Sequence, residues 1–270
     1  NFGDSYYYIK HQAIFGFIPG LGALIACSRI PYTFWRKHAW HFLIISVILL
    51  VLVFIPGLSA GIGSAHSWIN IGGFFSLQPS EIVKLTFLFY LAAWLAQRDK
   101  HSVRNVSEGF LPFILVLGAI MMLMILQPDI GTMSIIASMS LAVYFAAGAP
   151  MVYILGLIGA GIGALGLLIA AAPYRAARFT TFLNPELDPQ GIGYHVNQAL
   201  LAIGSGGVFG VGYGHSRQKF QYLPEVSGDS IFAIISEEMG MIVGIATIGL
   251  FLLLIWRILE IAKRSPDSFA

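Results

Sequence analysis

Residues 224–256 read PEVSGDSIFAIISEEMGMIVGIATIGLFLLLIW. A polar turn carrying Asp229 runs directly into an apolar segment, and two further acids, Glu237 and Glu238, lie inside that segment. From Met241 to Trp256 no residue is charged. A surface helix of a water-soluble domain keeps a polar face, and this stretch has none. About 20 mostly apolar residues suffice to cross the hydrocarbon of a bilayer, so the segment reads as a membrane span. Ionised groups at that depth are costly, and acids found there have a partner or a task.

The rest of the chain agrees with that reading. Of its 270 residues 57% are hydrophobic and only 10% charged. The mean hydropathy is +0.79. Such a composition excludes an ordinary soluble domain and fits a multi-span membrane protein. The net charge of +2 supplies no field for nucleic acid. Cys27 is alone, which excludes an internal disulfide and a cysteine-built metal site. The chain opens on Asn1, in a polar and aromatic stretch, NFGDSYYYIK, without the charged start and cleavage site of a signal peptide. A fragment cut at one or both ends is expected.

Seven spans are predicted, at roughly 11–28, 38–57, 81–97, 108–126, 130–148, 151–172 and 231–258. Glycine and proline inside them are compatible with membrane helices. Arg29, Arg36 and Lys37 follow the first span, Arg98, Lys100 and Arg104 the third, and Arg257, Lys263 and Arg264 the seventh. These basic loops share one side, which the positive-inside rule makes cytoplasmic. The chain then starts outside and ends inside. Trp35, Trp40, Trp94 and Trp256 fall near span ends, as interfacial anchors do. The expected architecture is all-α: a polytopic transmembrane helical bundle forming one membrane domain, 1–270. Two outer segments stand apart, 58–80 and the long loop 173–230. Long structured loops often carry function, so the candidate site is sought there.

Several motifs have a plain alternative. GLSAG, 57–61, matches the hydrolase elbow in letters, but an elbow needs a strand before it, and here a membrane helix precedes. GSGGVFGVGYG, 204–214, has neither dinucleotide nor P-loop spacing and reads as an irregular turn whose bare N–H groups can still line an anion site. HAWH, 38–41, lacks a third metal ligand nearby and reads as interfacial. In SLQPSEIVKL, 76–85, Glu81 and Lys84 share a helix face; they either neutralise each other or leave Lys84 to meet an anion. Asp129, in the turn LQPDIGT, is placed to cap the next helix. Arg175, Arg178, Arg217 and Lys219 flank the long loop, and gathered over a cavity they suit a diphosphate. Asp229 is placed either to cap the last helix or to serve a site, and Ser236 lies two turns further on the same face. Glu237 and Glu238 cannot point the same way, and at least one is expected to face protein or water.

Four stretches in order resemble one family: GSAHSWINIGGFFSLQPSEIVKL, LQPDIGT, the run from RFTTFLNPELDPQ to RQKFQYLPE, and the Asp229 segment with ISEEMG. Together they cover residues 61–240 and resemble the SEDS proteins, the FtsW and RodA type of shape, elongation, division and sporulation; RQKFQYLPE is closer to the division branch. The resemblance implies a peptidoglycan glycosyltransferase of the bacterial cytoplasmic membrane that polymerises lipid II on the outer side. It also implies a class B penicillin-binding protein as partner. It makes Asp229 the essential acid and Trp68 the functional tryptophan. Glu81, Lys84 and Asp129 become polar positions of the substrate cavity, and Glu238 is counted with them. His66 and Ser67 stand where the family often has Arg, Ser230 where Phe is common, and Ala199 where Ser is usual. The first span and the last two of the family, with the Gly- and Ser-rich motif they carry, are expected to be missing.

The chemistry expected of such a site is a single displacement. Asp229 takes the proton of a sugar hydroxyl, and partial burial at the membrane surface is expected to make it a better base. The departing polyprenyl diphosphate is met by Lys84, Arg175, Arg178, Arg217 or a divalent cation, Mg or Mn. Rival readings are a lipid-diphosphate flippase, which predicts charges deep in several spans, and a scaffold, which leaves Asp229 replaceable. An ion-coupled transporter would show internal repeats, and none is visible.

Overall fold

The computed structural model describes residues 6–55, 59–62, 65–71, 75–170, 176–177, 180–181, 184, 191, 193–220, 222–224, 226 and 228–269. Arg175 and Arg178 lie outside them. All seven predicted spans are helices: α1 Ile9–Arg29, α2 Ala39–Leu52, α3 Pro79–Ala96, α4 Val106–Leu126, α5 Ile130–Ala146, α6 Met151–Ala170 and, after a shorter helix α7 Tyr194–Ser205, α8 Ile231–Lys263. α1, α3, α4 and α8 are long and apolar enough to cross a membrane, and α2, α5 and α6 are apolar helices of similar character. Leu250, Phe251, Leu252, Leu253 and Leu254 are all exposed on α8. Leaving each such side chain in water forfeits about 1.5–3 kcal/mol of transfer free energy, so this surface belongs in lipid. The protein is a multi-pass membrane protein.

The chain forms two compact units, residues 1–155 with 266–270, and residues 156–265. In the first, α3 is the central helix. It buries Val83, Phe87, Leu91 and Ala93 and packs on α2 and α5. Ser46 of α2 and Thr86 of α3 share a hydrogen bond of 2.6 Å, a polar link suited to apolar surroundings, where an unpaired hydroxyl is costly. At the basic end of this unit Trp35 stacks on Phe42 and Phe89. There Tyr144 donates to the Val103 carbonyl at 3.1 Å and Arg104 to that of Gly148 at 3.3 Å.

The opposite end carries an addition to the expected bundle. Most of 58–80, read from sequence as a loop, is a small antiparallel sheet of β1 Ser59–Ile62, β2 Ala65–Ile71 and β3 Phe75–Leu77, in the order β1-β2-β3. Trp68 sits on the middle strand opposite Ala60, and Ile69 opposite Leu77. Ser67 and Ile69 are buried, and Trp68 between them is half-buried, as the alternation of a strand dictates.

In the second unit α7 packs against α8 through Ala202, Leu223, Ala233 and Ile234. The 33 residues of α8 amount to about 50 Å at about 1.5 Å each, longer than the ~30 Å hydrocarbon core. The helix is not continuous: at Gly240 the backbone turns to φ 83, ψ 174.

Candidate functional site

The break at Gly240 explains the glycine-rich stretch 204–214. Breaking a membrane helix strands backbone groups where water cannot reach them. In an unbroken α8 the carbonyls of Glu237 and Glu238 would accept from Met241 and Ile242. Here they accept instead from Val211 and Gly212, each at 3.0 Å. The freed N–H groups of Met241 and Ile242 donate to the carbonyls of Gly207 and Val208 at 2.9 and 3.4 Å. Both ends of both opened bonds are thus satisfied by one loop. The approach is so close that a Cβ on Gly240 would strike the backbone of Gly210 and Val208, and one on Gly210 would strike Glu238. Both glycines also hold positive φ, 83° and 80°, which costs a side-chain-bearing residue but not glycine. The irregular turn expected from sequence is present, and its task is to complete a discontinuous helix.

The two intramembrane acids fasten the same loop. Glu237, 2% exposed, accepts from the Ser216 hydroxyl at 2.5 Å and from the Arg217 N–H at 3.0 Å. Glu238, 7% exposed, pairs with the Lys219 ammonium at 2.8 Å and accepts from the Ser216 N–H at 3.4 Å. The expectation that the neighbours diverge is therefore corrected. The 216–219 turn is wide enough to receive both, one through backbone and hydroxyl, the other through a cation. The Arg217 side chain is exposed and makes no ion pair among the described residues.

Asp229 stands two residues before α8, next to its N-cap, and is exposed rather than partly buried as expected. It does not cap the helix, since the N-cap is Ser230. Among the described residues it makes no hydrogen bond or ion pair. The Ser230 hydroxyl, at a residue 3% exposed, donates to the Pro224 carbonyl at 2.9 Å and lies 2.7 Å from His195 Nε2. Ser230 and His195 were not singled out in the sequence as partners. Thirty-five residues separate them, and no local spacing reveals the pair.

In the first unit, Asp129 caps α5 by accepting from the Thr132 N–H at 3.1 Å. Its second oxygen accepts from Gln78 Nε2 at 2.9 Å, which joins the SLQPSE and LQPDIGT motifs. Glu81 and Lys84 form an ion pair of 2.8 Å, with the lysine the less exposed partner. The self-neutralising arrangement is thus present, and Lys84 meets an anion only by leaving Glu81 or sharing it. His38 and His41 lie with ring centroids 5.7 Å apart. Among the described residues no group of three or more His, Cys, Asp or Glu could hold a metal ion.

The apolar helices of spanning length, among them the long broken α8, define a polytopic membrane protein. The family model FTSW_RODA_SPOVE, a cell cycle protein, matches residues 1–270, and the chain belongs to that family. It is 40% identical over 269 residues to the probable peptidoglycan glycosyltransferase FtsW of Trichlorobacter lovleyi, covering 100% of this chain and 70% of that one. To stage V sporulation protein E of Bacillus subtilis it is 40% identical over 270 residues, covering 99% and 72%. Among solved structures, the rod shape determining protein RodA of Thermus thermophilus superposes with a TM-score of 0.60 at 25% identity, over 93% of this chain and 65% of that one. A chain from a study of polymerization and crosslinking by a peptidoglycan synthase complex gives 0.71 at 23% identity, over 98% and 73%.

Proposed function

We propose that the protein is a peptidoglycan glycosyltransferase that polymerises lipid II into glycan strands, in cell division, on the outer face of the bacterial cytoplasmic membrane. Family membership and the names of its relatives support the activity. The observation that carries the site is Asp229, an exposed carboxylate with no protein partner among the described residues, at the mouth of a membrane helix. A reaction on a lipid-anchored sugar takes place where hydrocarbon meets water, and its base belongs at that level. The acceptor hydroxyl of one sugar attacks the anomeric carbon of the donor strand. Asp229 takes the hydroxyl proton as the new glycosidic bond forms. The bond from the anomeric carbon to the diphosphate breaks, and polyprenyl diphosphate leaves with the bonding pair. One displacement inverts the anomeric centre, by analogy with inverting glycosidases.

The growing charge on the diphosphate calls for cations. Arg217, exposed and without an ion-pair partner among the described residues, is the readiest, with Arg175, Arg178 and Lys84 in the same role. Lys219 is already engaged with Glu238, so it and Glu238 act on substrate by shaping the loop. Trp68, Glu81 and Asp129 are assigned to substrate binding. The described residues do not fit a protein-held metal, and no step runs through one. The partner is a class B penicillin-binding protein, which crosslinks the strands.

The test is polymer formation from labelled lipid II by the protein with that partner in liposomes. Asp229→Asn keeps shape and removes the base. A loss of at least about 100-fold is expected, the scale of general-base catalysis. Polymer made at the normal rate overturns the reading and returns Asp229 to a flippase or a scaffold.

A further inference from the structure

We infer that His195 and Ser230 form a positioning clip for Asp229, an inference that rests on the catalytic reading of that acid. Ser230 is a helix N-cap that does not do the usual work of one. A capping serine turns its oxygen onto the N–H of the second or third helical residue. Ser230 makes no such bond. Its hydroxyl points back to the Pro224 carbonyl, six residues upstream, at 2.9 Å. A hydroxyl has one hydrogen, and that bond uses it. The contact of 2.7 Å with His195 Nε2 is therefore donated by the imidazole, which fixes the tautomer with the proton on Nε2.

Ser230 is in this way tied both to Pro224 and to α7. The Gly228 carbonyl accepts from Ile231 at 3.3 Å, which closes a turn around Asp229 and Ser230. Below it lies the apolar contact of Ala202, Leu223, Ala233 and Ile234, which fixes α7 against α8. The clip adds a directional polar tie at one residue's distance from Asp229. The acid's backbone is thus held on both sides while its carboxylate stays exposed. Ser230 itself is no nucleophile: it is buried, its proton is committed to a carbonyl, and no carboxylate among the described residues orients the imidazole from Nδ1.

A base must sit within hydrogen-bond reach of the proton it removes, and a displacement of about 1 Å can cost up to about 100-fold in rate. Losing the clip frees the turn without touching the substrate. His195→Ala is expected to lower kcat for lipid II polymerisation by about tenfold, with KM changed less than about twofold. His195→Gln, whose amide can donate to Ser230, is expected to return to within about threefold of the parent. Ser230→Ala is expected to match His195→Ala, and the double variant to fall no further, because the two residues act as one unit.

The four variants and Asp229→Asn are compared with the partner present in liposomes, with thermal unfolding measured in parallel. A full kcat in His195→Ala, a loss seen in KM instead, or additive losses in the double variant each overturn the clip. A glutamine variant as slow as the alanine one at unchanged unfolding temperature does the same. If His195→Ala does not purify, Ser230→Ala and His195→Gln carry the comparison alone. An inactive Asp229→Asn beside a fully active His195→Ala removes only the clip; an active Asp229→Asn removes the catalytic reading itself.

Discussion

Glu238 is a buried acid whose charge is balanced by one lysine. Taking charges out of water is costly, and removing one partner of such a pair leaves the other uncompensated. Lys219→Met is therefore expected to destabilise the protein by about 3 kcal/mol, at the lower end of what broken buried pairs cost because the Lys219 side chain keeps 29% of its surface exposed. Adding Glu238→Gln should restore part of the loss, since the amide no longer needs a cation. Thermal unfolding in detergent reads both, and a single variant as stable as the parent sinks the assignment. At this scale the sequence was only partly readable. An acid inside a span announces that it has a partner, but Lys219 lies nineteen residues away, across a turn whose shape no local pattern specifies. Asp129 was legible because a cap bonds three residues ahead. Its second bond, to Gln78, joins two motifs that are distant in the chain.

Among the elements, α8 is the informative case. Its apolar run marked a span, and its length was evident. The break was not, because EEMGM carries a single glycine and membrane helices accept glycine without breaking. What breaks it is the loop 206–212, which provides the replacement bonds. The same glycine-rich loop looked merely irregular when read alone. Two glycines of α8 therefore carry opposite expectations. Gly240→Ala must take a positive φ and force a Cβ into the backbone of Val208 and Gly210, and a destabilisation of about 3 kcal/mol or more is expected. Gly249→Ala meets nothing within 4 Å and lies in regular helix, so it is expected to be neutral or slightly stabilising. Yield and unfolding temperature of the two purified variants distinguish them, and equal behaviour refutes the role given to the break. The sheet at 59–77 was missed for a related reason. Its strands are short and glycine-flanked, and among the described residues they pair with one another.

For the molecule as a whole, the basic loops give a sidedness that a labelling experiment can test. With Cys27→Ser as background, Asn184→Cys, at an exposed position of the long outer loop, is expected to react with a membrane-impermeant maleimide in intact cells. Ser102→Cys, in the basic loop after α3, is expected to react only after permeabilisation. The reverse pattern inverts the topology and places Asp229 away from the face where the strands are built. The bundle itself was legible because hydrocarbon demands long apolar runs and little else, whereas the parts that touch water or one another are specified by distant pairs. The exchange of bonds at Gly240 bears on how such a chain is made. A segment entering the membrane on its own keeps those two carbonyls and two amides bonded to each other as an unbroken helix. The loop that receives them leaves the ribosome first, so the exchange of bonds waits for the helix that follows it. The break at Gly240 is accordingly expected to form in a late assembly step, one that hydropathy alone does not drive and that a defect in the glycine loop stalls before any question of catalysis arises.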